Sequence, residues 1–548
     1  MKKHKYIFVV GGVMSGVGKG ITTASLGAIL QAKGFRVNLV KVDPYLNVDA
    51  GTMNPTEHGE AFVLDSGLET DQDMGNYERF LNKSLSHDDY ITSGMVYLHV
   101  IQKERALGYG GKCVEAIPHI TNEILRRIEH SAAVNKSEIS VIEIGGTIGD
   151  YQNALFIEAA RILKVRCPED VMTIMVSFLP VPGTLGEMKS KPTQNAVRQL
   201  NSYGVHADMI IARSTHSLDK KRKEKIADAT SVPVDHIISA PDIESIYDVP
   251  LNFAKDSIGD TLVRILRLKH KKQEEGLHAW STFVSKTKQA KKSVKIGIVG
   301  KYFDTGDFVL SDAYISVIEA IKFSSFDLGA KPEIVWLNAK DFENKKEAVS
   351  VLKEYDGVVV PGGFGETGIE GKIRAIEFCR KNSIPYFGLC YGMQLMVVEY
   401  ARNVLGLVDA HTTEIRPETK NPVIHIMPEQ EKKLLKMDYG GTMRLGSYPA
   451  RIKKGTVAYE AYKEESISER HRHRFEVNSA YVQSLEKAGL IFSGTSPFGD
   501  LCEIAELPKD KHPFFLGTQF HPELKARPLA PHPLFTAFIK ASLKNKKL

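Results

Sequence analysis

The stretch YIFVVGGVMSGVGKGITTASLGAILQAKGFRVNLVKVD, residues 6–43, decides the fold. It reads as a β-branched apolar run, a glycine-rich turn, a segment of helical composition and a second β-branched run ending at Asp43. Strands that stay apolar without alternation are buried on both faces, and a helix between two of them makes a parallel crossover. The order repeats at EISVIEIGG, VMTIMVSF, ADMIIAR and HIISAP, each followed by a helical pattern. Residues 1–268 are therefore expected to form a doubly wound parallel α/β domain.

Inside the opening stretch, Gly11, Gly12, Gly16, Gly18 and Gly20 crowd around Lys19 between a strand and a helix. Glycines there let backbone N–H groups and a helix N-terminus surround phosphate, and the lysine adds a charge. Gly-rich strand-to-helix turns also occur without ligands, but this density around a lysine favours nucleotide binding. The pattern departs from the common phosphate loop in two ways: Gly12 lies one position early, and Gly20 stands where a hydroxyl residue usually holds Mg2+. Metal ligands must then be carboxylates, with Asp71 and Asp73 of ETDQD and Glu143 of SVIEIGG as candidates. KVDPYLNVDAGTMNPTEHGE, residues 41–60, has little secondary-structure signal and is expected to wall an active site, with Lys41 at its entrance as a second cation.

A polar, lysine-rich segment, residues 269–293, reads as a linker. Alternation resumes at VKIGIVG and continues through YDGVVVPGGFG and IPYFGLC, so residues 294–548 are expected to form a second α/β domain. In FGLCYGMQ, residues 387–394, Cys390 lies between two glycines at the end of an apolar run. That is the pattern of a nucleophile elbow, in which small residues permit a strained turn and the following helix N-terminus favours the thiolate. FFLGTQFHPEL offers His521 as its base and Glu523 to orient the imidazole, and the PGGFG strip offers backbone N–H groups for an oxyanion. Free cysteines and lone histidines are usually structural, but the three features together form a specific constellation. His471 and His473 of ERHRHRFEVN alternate along one strand face; without a third ligand they read as part of a basic substrate-binding strand and not as a metal site.

Composition closes off other classes. A length of 548 residues exceeds what one core usually supports. With 72 Lys+Arg against 66 Asp+Glu, the charge is too balanced for a nucleic-acid footprint. Five cysteines without C-x-x-C spacing argue against a disulfide framework or zinc site and fit a reducing, cytoplasmic setting. The N-terminal lysines and apolar run imitate a signal peptide, but early glycines and the phosphate loop make the run a first strand, and no apolar run approaches membrane-spanning length.

In order, GKGI, VDPYLNVDAGTMNPTEHGE, ETDQDMGNYERF, IPHITNEI, EIGGTIGD, MKSKPTQ, PGGFG, LCYGMQ, GGTMRLG, RHRHRFEVN and FHPE resemble the CTP synthase family over nearly the whole chain. The resemblance implies a P-loop-like, dethiobiotin-synthetase-like synthetase domain followed by a class I glutamine amidotransferase domain. It implies that ATP with Mg2+ phosphorylates O4 of UTP and that ammonia, freed from glutamine at the cysteine and passed through an internal channel, displaces the phosphate. It also implies GTP as activator, CTP as feedback inhibitor and a homotetramer able to assemble into filaments.

Carried over by motif, Gly16, Val17, Gly18, Lys19, Gly20, Ile21, Asp73 and Ile243 resemble the ATP-binding set, with Lys19 and Lys41 in catalysis and Asp73 and Glu143 on the metal. Ser15, Asp150, Tyr151, Gln152, Lys189, Ser190, Lys191, Pro192, Thr193, Gln194 and Lys225 resemble the UTP and CTP set. Cys390, His521 and Glu523 match the family triad, and Gly363, Tyr391, Gly392, Met393, Gln394, Glu414 and Arg474 its glutamine pocket, where Glu414 suits an ammonium and Arg474 a carboxylate. The chain departs from the family at GGTIGDYQN, where Tyr151 and Gln152 replace residues of the CTP-inhibition pocket, at GYGGKCVEAIPH, and at Tyr391, where leucine is typical. Two other readings are an amidotransferase fused to a different P-loop-like ligase, which would lack MKSKPTQ, and an inactive scaffold, which would not need Cys390, His521, Glu523 and Lys19 intact.

Overall fold

The computed structural model describes residues 4–54, 58–183, 186–269, 276–300, 311–363, 366–426 and 443–545, with backbone only at 311 and 312. The chain forms two compact units, Met1–Ala50 with Asp73–Val284, and Gly51–Gln72 with Ser285–Leu548.

The first unit is built on a seven-stranded parallel sheet. Its strands run in the order Tyr90–Thr92, Val37–Asp43, Ile139–Ile144, Lys5–Gly11, Val171–Phe178, Met209–Ser214 and Ile237–Pro241. The apolar runs in the sequence are strands with helices on both faces: every residue of Val37–Asp43 and Ile139–Ile144 is buried. Each aliphatic side chain so buried contributes about 1.5–3 kcal/mol relative to exposure. The segment that imitated a signal peptide is the central strand, paired on both sides. Gly27 lets the first helix, Lys19–Ala32, press onto the sheet, since a Cβ there would sit 2.8 Å from a Leu39 methyl. Because all seven strands are parallel, their carboxyl ends share one edge, the usual ligand-binding edge of such sheets.

The second unit carries a nine-stranded mixed sheet. Ala330–Asn338, Lys292–Gly300, Gly357–Val360, Tyr386–Leu389 and Phe515–Thr518 are parallel neighbours, as expected for an α/β domain. Cys502–Glu506, Ile491–Thr495, Arg444–Ile452 and Ser466–His473 extend it in antiparallel pairing. A three-stranded sheet, Ala410–Thr412, Asn421–Ile426 and Phe475–Val477, and a short hairpin, Phe62–Val63 with Glu69–Thr70, complete the unit.

Two stretches differ from the sequence reading. Residues 51–72, expected within the first domain, group with the second unit. The physical reason is ionic: Asp65 and Glu69 pair with Arg470 and Arg472, each at 2.7 Å. The stretch 269–293 is not a bare linker either. It contains the helix His278–Gln289, which buries Trp280, Phe283 and Val284. Trp280 donates its indole N–H to the Tyr247 carbonyl at 2.7 Å and its ring lies 5.0 Å from that of Phe80. An apolar stripe at i, i+3 and i+4 was hidden by the surrounding lysines.

Candidate active sites

At the carboxyl edge of the first sheet, the glycine loop leaves the central strand and enters the helix Lys19–Ala32 with Gly16 and Gly18 in left-handed conformation, φ +70° and +89°. Val13 is also left-handed, φ +79°, a conformation β-branched residues rarely adopt and one that concentrates at functional loops. Gly12 fits tightly: a Cβ there would lie 2.7 Å from Ala196 of the helix Lys191–Ser202. Ser15 and Gly16 are exposed at the tip, whereas Val17, Lys19 and Gly20 are buried and Ile21 is half-buried.

Lys19 donates to the Gly146 carbonyl at 2.8 Å. Burial lowers its proton affinity, an effect Glu143 opposes and Lys41 reinforces. Lys41, on the strand Val37–Asp43, sits among three carboxylates: it pairs closely with Asp73, lies 3.1 Å from Glu143 and 3.7 Å from Asp43. Burial would raise Asp73, but the Lys41 charge outweighs it and the carboxyl is held low, while burial dominates at Glu143 and Asp43 and raises both. Tyr77 donates its hydroxyl to Glu143. Gly20 touches the Asp73 carboxylate so closely that any side chain there would displace it. The loop, both lysines and both proposed metal ligands thus converge; Asp71 is half-buried, one residue before the helix Gln72–Leu81. A buried and a half-buried carboxylate with hard oxygen donors fit Mg2+, with remaining ligands coming from phosphate and water. Among the described residues, no group of three or more His, Cys, Asp or Glu side chains could hold a metal by itself.

Of the nucleotide set, Asp150 caps its own turn by accepting from the Thr147 N–H at 2.6 Å, Gln152 is exposed, and Tyr151 is 97% exposed. Gly149 packs on Gln199 of the helix that begins with Lys191. At that helix start, Gln194 donates to Ser190 Oγ at 3.2 Å and Ser177 to Thr193 Oγ1 at 2.8 Å, with Pro192 in the first turn. Lys191 is exposed, and Lys189 pairs with Glu187 at 2.7 Å. Lys225, exposed on the helix Lys220–Thr230, helps Lys189 to lower the Glu187 carboxyl, Lys189 contributing more.

In the second unit, Cys390 is the turn between Tyr386–Leu389 and the helix Tyr391–Asn403, with φ +49° and ψ −98°. The turn is held by its N–H, which donates to the Thr518 carbonyl at 2.6 Å. Its flanking glycines are required by contact: a Cβ on Gly388 would lie 2.6 Å from the Tyr386 hydroxyl, and one on Gly392 would collide with the Val360 carbonyl. His521 Nδ1 is 2.7 Å from Glu523 Oε1. Burial alone would lower the imidazole, but the Glu523 carboxylate and then the Cys390 sulfur outweigh it, and His521 is held well above the usual histidine range. Gly362 lies over the pair, since a Cβ there would be 2.8 Å from His521 Cε1 and 3.8 Å from Cys390 Cβ. A cavity of about 80 Å³ is lined by Cys390, His521, Gly362, Gly363, Arg472 and Glu60, among others. Phe364 and Gly365 of the glycine strip lie outside the described residues.

The rest of the expected glutamine set is distributed around the elbow. Met393 is fully buried against Gly517, and Gln394 donates to the Phe475 carbonyl at 2.7 Å. Tyr391 is buried, with Lys372 Nζ 5.5 Å from its ring centre, and burial pushes its hydroxyl strongly up. Glu414 and Arg474 are half-buried. The two histidines of RHRHRFEVN are interior: His471 Nδ1 is 2.9 Å from His473 Nε2, and burial, helped by Arg444, keeps both well below the usual range. Both rings lie near interior carboxylates, His471 3.6 Å from Glu503 and His473 3.7 Å from Glu476.

Residues 5–268 match the family described as CTP synthase N-terminus, and residues 309–541 match glutamine amidotransferase class-I. A CTP synthase of Pyrococcus abyssi is 49% identical over 547 residues, 99% of this chain and 98% of that protein. One from Caldanaerobacter subterraneus is 48% identical over 543 residues, 99% of each chain. The chain belongs to the CTP synthase family. Membership makes it a glutamine-hydrolysing ligase that forms CTP from UTP with glutamine as nitrogen donor. A solved Trypanosoma brucei CTPS glutaminase domain with bound acivicin is 36% identical over 46% of this chain and 96% of its own, with a TM-score of 0.42, too low to bear on the fold.

Two residues at these CTP synthase sites escaped the sequence reading. Arg213 is the penultimate residue of the strand Met209–Ser214, and a Cβ on Gly18 would lie 2.8 Å from its guanidinium; it pairs with Asp242, the neighbour of Ile243, at 2.7 Å. Its signal was a lone cation at the carboxyl end of a parallel strand. Gln519 is fully buried and directs Nε2 at Cys390 Sγ, 3.7 Å away. Its signal was its place two residues before His521, directly after the strand Phe515–Thr518 that lies beside the elbow.

Among the described residues, no helix is long and apolar enough to cross a membrane.

Proposed function

We propose that the two halves of the CTP synthase reaction divide between these two sites. At the first, the glycine loop from Gly16 to Ile21, with Lys19, binds ATP, and Lys189, Lys191, Gln194 and Lys225 bind UTP, where cations suit a triphosphate. Asp73 and Glu143 would hold Mg2+, which when bound neutralises phosphate charge. Lys19 and Lys41 offset the charge that develops as phosphate moves from ATP to O4 of UTP, leaving a good leaving group for ammonia. Arg213 would add a further phosphate contact.

At the second site, Cys390 attacks the glutamine amide carbon and His521 accepts the thiol proton. The raised proton affinity of His521 makes it a good acceptor. The imidazolium then gives that proton to the leaving nitrogen, releasing ammonia, and the thioester is hydrolysed by water that His521 activates. Backbone N–H groups beside Gly363 and Tyr391 receive the oxyanion, while Glu414 and Arg474 hold the amino acid ends. The observation that carries this reading is the elbow itself: a cysteine at φ +49° facing a histidine fixed by a carboxylate at 2.7 Å. Family membership supports the further assignments of GTP as activator, CTP as feedback inhibitor, a homotetramer able to form filaments, and the cytoplasm as compartment.

Incubation with UTP, ATP, Mg2+ and glutamine is expected to yield CTP. A chain that forms none from either glutamine or ammonia contradicts the reading. Glu523→Gln removes the charge that raises His521, so glutamine hydrolysis is expected to fall about tenfold to a hundredfold. Because the proton-accepting form is then populated at lower pH, the acid limb of the pH–rate profile should move toward acid. An unmoved limb would take Glu523 out of this role.

A further inference from the structure

The strand Ser466–His473 touches both members of the cysteine–histidine pair through its backbone. The His521 N–H donates to the Arg470 carbonyl at 2.7 Å, and Cys390 Sγ lies 3.9 Å from the Arg472 carbonyl, within reach of a thiol donor. Two successive outward carbonyls of one strand thus set the separation of nucleophile and base. Whatever fixes this strand fixes the pair.

The side chains of the same two residues are held by one short hairpin. Arg470 is fully buried and donates from Nε to Asp65 Oδ1 at 2.7 Å, with its guanidinium 5.3 Å from the centre of the Phe62 ring. Arg472 donates from Nε to Glu69 Oε1 at 2.7 Å. Asp65 also accepts from Ser447 Oγ at 2.6 Å and lies 3.6 Å from Lys525 Nζ, while its carbonyl accepts from the Ser447 N–H at 2.9 Å. Arg470 reaches on to the Leu524 carbonyl at 3.3 Å, next to Glu523. The hairpin is seated backbone on backbone: Gly67 and Gly446 are both left-handed, and a Cβ on Gly446 would lie 2.6 Å from the Gly67 nitrogen. Neither glycine can carry a side chain without lifting the hairpin off the strand Arg444–Ile452.

We propose that Asp65 and Glu69 are positioning residues for glutamine hydrolysis, acting through the Arg470 and Arg472 side chains to hold the two carbonyls that register His521 and Cys390. The inference rests on the glutaminase reading of this site. Acids that reach the site from residues 62–70 thereby govern a reaction whose catalytic groups lie hundreds of residues later in the chain.

Asp65→Asn and Glu69→Gln keep shape and remove charge, and Glu69→Gln is the milder because Arg472 retains solvent contact. In the full-length protein, kcat and KM for glutamine hydrolysis are measured per active site titrated with an alkylating glutamine analogue, alongside ammonia-dependent CTP synthesis. Misplacing the pair predicts kcat lower by about tenfold or more with KM within about twofold. Ammonia-dependent synthesis should stay within about twofold. A purely structural role would reduce the number of titratable sites and leave kcat per site unchanged, which would overturn the inference. So would parallel loss of the ammonia-dependent reaction. Absence of glutamine hydrolysis by the unaltered protein would overturn the functional reading and this inference with it; hydrolysis undiminished in both variants would overturn this inference alone.

Discussion

Cys390→Ala is expected to abolish glutamine-dependent CTP synthesis, by at least about a thousandfold, while ammonia-dependent synthesis stays within about twofold. Among the described residues at the elbow, the thiol is the group placed to form the acyl intermediate. Its loss leaves His521 with nothing to deprotonate and Gln519 with nothing to approach. Alanine fits the space, because a smaller side chain at this buried turn adds no clash and costs about 1 kcal/mol of stability. The strained φ of +49° is set by Gly388, Gly392 and the Thr518 carbonyl, and it persists in the variant. The comparison of the two nitrogen sources in one preparation checks the division of labour. Equal loss of both activities would mean that the two sites are not separable.

Lys19→Met is expected to stop synthesis from either nitrogen source, by about a hundredfold to a thousandfold, while leaving glutamine hydrolysis measurable. Methionine keeps much of the length and the packing against Gly11 but removes the ammonium that reaches the Gly146 carbonyl. Three carboxylates, Asp43, Asp73 and Glu143, would then face Lys41 without the added charge of Lys19. Phosphate charge arriving at the loop would meet less positive charge when transfer demands most. Steady-state CTP formation with glutamine and with ammonia checks this, and undiminished synthesis would remove Lys19 from the catalytic role.

The parallel strands were legible because burial on both faces leaves uninterrupted apolar runs, as in IFVV and MIIA. The elbow was legible for a related reason: only glycine can sit beside Tyr386 and Val360 at that turn, so contact constraints are written directly into FGLCYG. The hairpin Phe62–Val63 with Glu69–Thr70 was not legible. Its strands are two residues each, too short for a periodicity, and its stability comes from arginines about 400 positions away. The antiparallel half of the second sheet was obscured in the same way, since Arg444, His471, His473 and Glu503 are polar residues buried together, and local composition marks such residues as exposed. Tyr151 is the converse case. The sequence marked it as a departure from the family, and the structure places it almost wholly in solvent.

The most direct measurement of the account uses glutamine labelled with nitrogen-15 in its amide, supplied with UTP, ATP and Mg2+ to the unaltered protein. The account predicts CTP whose 4-amino group carries the label, and loss of that labelled product in Cys390→Ala even though unlabelled ammonia still yields CTP. Labelled ammonia accumulating with no CTP formed from either nitrogen source would contradict it.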